Sequence, residues 1–328
     1  MTAVWFGLVL LCLLMDVVLD GYDLGVGIAT LFERDPRHRH EMLETVALAW
    51  DGNETWLVLL GVSLWAGFPA AFGTILPHAC VPLTLMLFAL IVRGVAVEMA
   101  SQRPPAPWWE RAFGIGSLVA ALAQGAAAGS LAENFTVGGG LGWYSALTAV
   151  SVAVGYLALG YAFTKWKASG ALRFRAGRHG IVATIAAAGL ASACLGAVEA
   201  TAAPLNLGSP VRIAGFIGLL AFAVVGLVLA VATLRPASRR DGLPLCGLAI
   251  GVVAIALAVV TARYPVLAPP SLTADNAVSP SGTMQFLAVG VGLNVPLVLF
   301  YSWYAHYAFR GVRRTTPEAH HAAPMGEH

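Results

Sequence analysis

Asp16, Asp20 and Asp23 stand four and three residues apart inside one apolar run, and in a helix that spacing stacks all three on one face. A second apolar run carries Asp51 and Glu54, and a third carries Arg93 and Glu98. An ionisable side chain in such a run costs about 2.5 to 3.5 kcal/mol to insert in a membrane unless it is paired or hydrated. Acids and a base on consecutive runs could form a structural salt bridge that fixes helix packing. They could equally form a proton path or an electrostatic support for a redox centre. Trp50 and Trp56 flank Asp51 and Glu54, where they could line a route for a quinone, a lipid or oxygen, or simply pack.

These residues need spanning helices to hold them, and the composition supplies such helices. The 328 residues are 58% apolar and only 11% charged, against roughly 25% charged in a soluble domain. A net charge of +2 with no long charged segment excludes a nucleic-acid binder, a disordered regulator and a disulfide-stapled domain. Runs of about 20 apolar residues cross a bilayer as helices. Nine are expected, near 3–32, 43–69, 77–100, 112–132, 141–166, 179–200, 211–234, 243–262 and 282–309. The first lacks a basic flank and a small-residue cleavage site, so it is expected to span rather than to be a removable signal.

Basic residues orient the nine. With the N-terminus outside, Arg34, Arg37, Arg39, Arg103, Arg111, Lys165, Lys167, Arg173, Arg175, Arg178, Arg235, Arg239, Arg240, Arg310, Arg313 and Arg314 all fall on the cytoplasmic side. Only Arg212 and Arg263 fall outside, and Arg93 stays in the membrane. In that frame Asp23, Asp51 and Arg93 share a depth about 10 to 14 Å from the cytoplasmic edge, as a compensated trio. Gly21 and Gly25 form a small-residue step that lets a neighbouring backbone approach the same face.

Other candidates are weaker. Asp20-Gly21-Tyr22-Asp23 lacks the acids that a calcium loop carries after its glycine. Cys12, Cys80, Cys194 and Cys246 lie far apart and read as small hydrophobes, and no metal ligand set is expected. His78 and His306 are isolated and read as hydrogen-bonded interior or interfacial residues. The loop 264–281, with Pro265, Pro269, Pro270 and Pro280, reads as an ordered turn or a flexible rim. Residues 1–314 are expected to form one polytopic domain, followed by a disordered cytoplasmic tail at 315–328.

The motifs resemble subunit II of the cytochrome bd-type quinol oxidases, including the cyanide-insensitive branch. The resemblance rests on Leu19-Asp20-Gly21-Tyr22-Asp23-Leu24-Gly25-Val26-Gly27 and Trp50-Asp51-Gly52-Asn53-Glu54-Thr55-Trp56-Leu57-Val58. Gly67-Phe68-Pro69, Arg93-Gly94-Val95-Ala96-Val97-Glu98, Tyr264-Pro265, Asn276-Ala277, Pro296-Leu297-Val298-Leu299 and Phe309-Arg310 extend it. The middle of the chain agrees only in hydropathy and length. Two features depart from the family pattern: the loop from Pro265 onward is shorter, and His306 stands where an aromatic residue is usual.

The resemblance implies an all-α integral membrane protein of nine spans, two four-helix bundles and one peripheral helix, in a bacterial inner membrane. It implies a haem-free subunit of an enzyme that oxidises quinol at the outer face, reduces O2 to water and takes protons from the cytoplasm. Two b-type haems and one haem d would be ligated by the larger subunit I. That subunit, quinol and lipids are the implied partners, with a small accessory single-helix subunit as an optional one. By the same resemblance Asp51 is a cytoplasmic proton-path residue reaching the subunit interface, with Glu54 a further candidate. Asp23 and Arg93 support the haem environment, with Asp20 and Glu98 beside them. Trp50 lies near a bound quinone, and Trp56 lies beside an oxygen route. The alternatives of another class are a proton-coupled secondary transporter, for which no paired interrupted helices are visible, and a purely structural scaffold.

Overall fold

A computed structural model describes residues 1–102, 107–133, 142–201, 205–268 and 272–308. The tail 315–328, the pair Phe309-Arg310 and the prolines Pro269 and Pro270 lie outside the described residues, as does the side chain of His306. The helices run α1 (Thr2–Thr30), α2 (Pro36–Val46), α3 (Trp50–Gly67), α4 (Pro69–His78), α5 (Cys80–Gln102), α6 (Pro107–Ala132) and α7 (Trp143–Lys167). They continue with α8 (Gly170–Ala197), α9 (Pro210–Leu234) and α10 (Leu243–Arg263). After β1 (Val266–Ala268) and β2 (Leu272–Thr273) come α11 (Ala274–Ala277) and α12 (Ser281–Ala308).

Eight of the described helices are long and apolar enough to cross a membrane, so the protein is a multi-pass membrane protein. The segment expected as a second span, 43–69, is divided. Asp35 caps α2 by accepting the Arg37 N–H at 2.9 Å, with Pro36 in the first turn. The helix sends Met42, Leu43 and Val46 into the core and then stops. After a turn at Ala47–Ala49, α3 takes over with 18 residues, and its acidic first turn keeps it off the apolar scale on which the eight qualify. Phe68-Pro69 breaks the chain again and starts the unexpected short α4. Conversely, α8 begins at Gly170, well before the expected 179, and so takes Arg173, Arg175 and Arg178 into the helix.

Packing centres on α1, which contacts α3, α6 and α7; α5 pairs with α6, α7 with α8, and α9 with α10. Among the described residues, α12 packs mainly on α3. The main core gathers the second half of α1 with residues of α2, α5, α6, α7 and α8, including Leu24, Leu43, Leu90, Phe113, Leu159 and Leu172. A smaller cluster of Trp5, Phe68, Ala71, Ala274, Ala277 and Met284 closes the opposite end. There β1 and β2 pair antiparallel, and Ser279 ties the long loop down through its N–H to Gly67 O (3.0 Å) and its hydroxyl to Ala66 O (2.7 Å). The loop is therefore an ordered turn where it is described.

Backbone contact between α1 and α7 sets the distance at the centre. A Cβ on Gly25 would stand 1.7 Å from Tyr156 O, and one on Gly160 would stand 2.1 Å from Gly25 C. Only hydrogen fits at either position, so a methyl must push the two helices apart. Gly25→Ala is expected to lower stability by about 1 to 3 kcal/mol, read as an earlier thermal transition of the detergent-solubilised protein. Gly189→Ala, whose Cβ meets nothing within 4 Å, should leave the transition where it is. Equal stability of the two variants contradicts the close approach.

Candidate functional site

The site forms where α1, α3 and α5 meet, with α6 behind. Arg93 of α5 is completely buried. Its Nη1 donates to Asp20 Oδ1 at 2.8 Å and lies 3.8 Å from Glu54 Oε2, while Nη2 lies 3.8 Å from Asp23 Oδ2. Asp20 and Asp23 are likewise without exposed surface, whereas the Glu54 side chain keeps 23% of its surface. Asn53 adds two contacts, its amide donating to Asp23 Oδ2 at 2.8 Å and to the Tyr22 hydroxyl at 2.7 Å. The Tyr22 ring stacks on Phe163 of α7 with centroids 4.3 Å apart.

α6 can close the back because Gly116 sits against α5. A Cβ there would stand 2.9 Å from Ala89 O and 3.1 Å from Arg93 N. The site is over-supplied with acid. One guanidinium faces three carboxyls, and Asp20 Oδ2 and Asp23 Oδ1 are buried with no hydrogen-bond partner. Asp16, one turn along the same face of α1, is 3% exposed, and its Oδ1 also lacks a partner.

The trio expected from the sequence is corrected by one member. Asp23 and Arg93 meet, but Asp51 does not join them. It is exposed in the first turn of α3, and its backbone carbonyl accepts the Thr55 hydroxyl at 3.1 Å. The reason is rotational phase. At about 100° per residue, turning Asn53 toward Asp23 turns Asp51 about 200° away and leaves Glu54 at the edge of the site. Asp20 and Glu54 complete the cluster instead.

Glu98 is also exposed and accepts the Gln102 amide at 2.6 Å, away from Arg93. Trp56 is fully buried with its indole N–H unpartnered. Trp50 is half-buried, its ring edge 3.1 Å from where a Cβ on Gly94 would be. The sequence reading missed Asn53 as a member of the site. The available signal was its spacing of three from Trp56, which puts an amide and a large aromatic on one helix face.

Among the described residues no group of three or more His, Cys, Asp or Glu side chains is arranged to hold a metal ion. His78 is exposed, and its Nδ1 lies 2.7 Å from Thr74 O in its own helix.

A family model described as cytochrome bd terminal oxidase subunit II matches residues 1–309. Cytochrome bd-I ubiquinol oxidase subunit 2 of Escherichia coli (strain K12) is 33% identical over 135 residues, 40% of this chain and 36% of that protein. Cytochrome bd ubiquinol oxidase subunit 2 of Bacillus subtilis (strain 168) is 34% identical over 119 residues, 35% of each. The matched stretches span about a third of the length of these curated relatives. A chain in the structure of bd oxidase from Geobacillus thermodenitrificans shares the fold, with a TM-score of 0.73, 15% identity, and coverage of 94% of this chain and 99% of that one. With the model matched along nearly the whole sequence, the chain belongs to the cytochrome bd terminal oxidase subunit II family.

Proposed function

We propose that this chain is the haem-free second subunit of a quinol:oxygen oxidoreductase in a bacterial cytoplasmic membrane, and that it handles protons drawn from the cytoplasm. The observation that carries this reading is the surplus of carboxyls around Arg93. A single guanidinium neutralises a single carboxylate. The charge of the others cannot be left bare in an apolar interior, where each uncompensated ion costs several kcal/mol, so it is balanced by protons held in the cluster. Groups that hold protons beside a fixed positive charge can pass them on when the field changes.

The order of groups suits such a path. Asp51 is exposed in the first turn of α3; Glu54, one turn further in, is partly exposed and 3.8 Å from Arg93; Asp23 and Asp20 lie behind it. Asp51 collects the proton, Glu54 carries it to the cluster, and Arg93 with Asp23 and Asp20 sets the local field. Asp51 and Glu98 are exposed acids, and at helical spacing the faces that carry them also expose apolar Val58, Val62, Ile91 and Val95. Lipid is a poor neighbour for the acids, so this face meets a second protein, the haem-bearing subunit I. Trp50 is open enough to touch a quinone; an oxygen route past the enclosed Trp56 would run through the interior of this chain.

The topology in this reading has nine spans in two four-helix bundles plus the peripheral α12, with the N-terminus outside. The 18 residues of α3 reach about 27 Å, close to the roughly 30 Å of a hydrocarbon core. A proton-coupled transporter would hold its ion at the ends of broken helices, whereas these aspartates sit within the continuous 29 residues of α1.

In the purified complex, Asp51→Asn and Glu54→Gln should each lower oxygen consumption by about tenfold or more while the haem absorption per complex stays constant. Activity and haem falling together would reassign both residues to assembly. Arg93→Leu leaves the acids without their cation and should cost about 3 to 5 kcal/mol, seen as poor assembly or shifted haem spectra. Wild-type spectra and turnover in that variant would remove its supporting role.

A further inference from the structure

Beyond the Arg93 cluster the buried acids among the described residues are Asp16, Glu110 and Glu133; Glu110 lies 3.3 Å from Arg39 and Glu133 accepts the Ser145 hydroxyl, which leaves Asp16 as the one whose Oδ1 has no partner. We infer that Asp16 is a further proton-holding group, the inner station of a path that continues from Asp20 toward the middle of the membrane. The inference rests on the proton-handling reading proposed above and extends it by one residue.

Three observations carry it. Asp16 lies four residues before Asp20, so the two share a helix face one turn apart. It is 14 residues from each end of α1, which is about 21 Å from either end and therefore mid-bilayer for a spanning helix. The residue is 3% exposed, its Oδ1 has no hydrogen-bond partner, and it forms no ion pair among the described residues; the carboxyls within 4 Å of Arg93 are those of Asp20, Asp23 and Glu54.

A carboxylate so placed would be a bare charge at the most costly depth of the bilayer. A carboxylic acid there is neutral and can receive and release a proton. The polar lining continues one turn further along α1 with Cys12, which is completely buried, and with Ser63 of α3, 1% exposed. The step is a proton transfer alone. The Asp16 acid gives up its proton to the proton-consuming reduction of O2 in the proposed complex, and the O–H bond of an acid at Asp20 or Glu54 then breaks as one re-forms on the Asp16 carboxylate, so the negative charge moves from Asp16 toward the cytoplasmic side and no electron is exchanged in the transfer. A merely structural Asp16 would stay protonated throughout turnover.

The test uses the assembled complex with haem content checked optically, and follows proton uptake with a pH-indicating dye during a single reoxidation by oxygen. Asp16→Asn is expected to keep the haem spectrum and slow uptake about tenfold or more, with a larger solvent deuterium isotope effect. Asp16→Glu should restore most of the rate. Infrared difference spectra of reduction should contain a carboxylic acid C=O band that is lost in Asp16→Asn and displaced in Asp16→Glu.

If Glu54→Gln slows uptake and Asp16→Asn does not, Asp16 is no station and only this inference falls. If both variants take up protons at the wild-type rate, the underlying reading falls with it. Should Asp16→Asn fail to assemble, the infrared band in Asp16→Glu decides, and an unchanged band position overturns the assignment.

Discussion

The guanidinium of Arg93 has no contact with solvent, and the arrangement of the helices around it follows from what an enclosed charge requires. Removing such an ion from water costs several kcal/mol, which only close opposite charge and hydrogen bonds offset. Asp20 at 2.8 Å supplies the strongest of these, with Asp23 and Glu54 at 3.8 Å. Three helices are thereby locked in phase. α1 must present positions 20 and 23, α3 must present 53 and 54, and α5 must turn 93 inward. A rotation of α1 or α5 by half a turn would part the buried cation from Asp20 and Asp23, and one of α3 would take away Glu54 and the Asn53 amide that Asp23 accepts. The apolar packing of Leu24, Leu90 and Phe113 fills the space around the charge but does not choose that phase.

In the proposed reading, the surplus of acid is what separates this cluster from a salt bridge that clamps helices. A matched pair has no spare valence for protons. Here Asp20 Oδ2, Asp23 Oδ1 and Asp16 Oδ1 are buried without partners, so each carboxyl keeps an atom free to bear a proton. Glu54 is the partly exposed carboxyl of the three that face Arg93. Close approach of backbones makes the enclosure possible: Gly116 lets α6 lie against α5 at Arg93, and Gly25 with Gly160 brings α7 onto α1. Trp56 and Tyr22 are themselves buried, the latter stacked on Phe163.

Much of this was legible in the sequence, because strong patterns carried it. The 16, 20, 23 spacing names one face of α1 whatever lies opposite, and runs of uncharged residues name most of the spans. Phase and breaks were not legible. The apolar run through Leu43 and Val46 continues almost smoothly into α3, so hydropathy could not show the turn at Ala47–Ala49 that separates an amphipathic α2 from α3. For the same reason the choice between Asp51 and Glu54 was open. Both are acids near the start of one helix, and the rotation that exposes the first and sends the second toward Arg93 depends on where Asn53 finds Asp23 and Tyr22. That contact joins residues thirty positions apart, which no local pattern encodes.

A second buried cation has partners of a different kind. Lys165 near the end of α7 has no exposed surface, and its ammonium donates to the carbonyls of Thr233 and Arg235 at the C-terminal end of α9. Those carbonyls are unpaired by the helix itself, and the helix dipole is negative there, so the cation is held by groups that only accept hydrogen bonds. Nothing among these partners can take up or release a proton. Close by, Arg173 pairs with Asp241 at 2.5 Å and with Ser238 O at 2.6 Å, fastening α8 to the turn between α9 and α10. Lys165 therefore acts as a fixed helix cap. Arg93 faces carboxyls that outnumber it, and it is on that excess of titratable partners, more than on the burial of the charge, that the proposed proton handling at the α1, α3 and α5 junction rests.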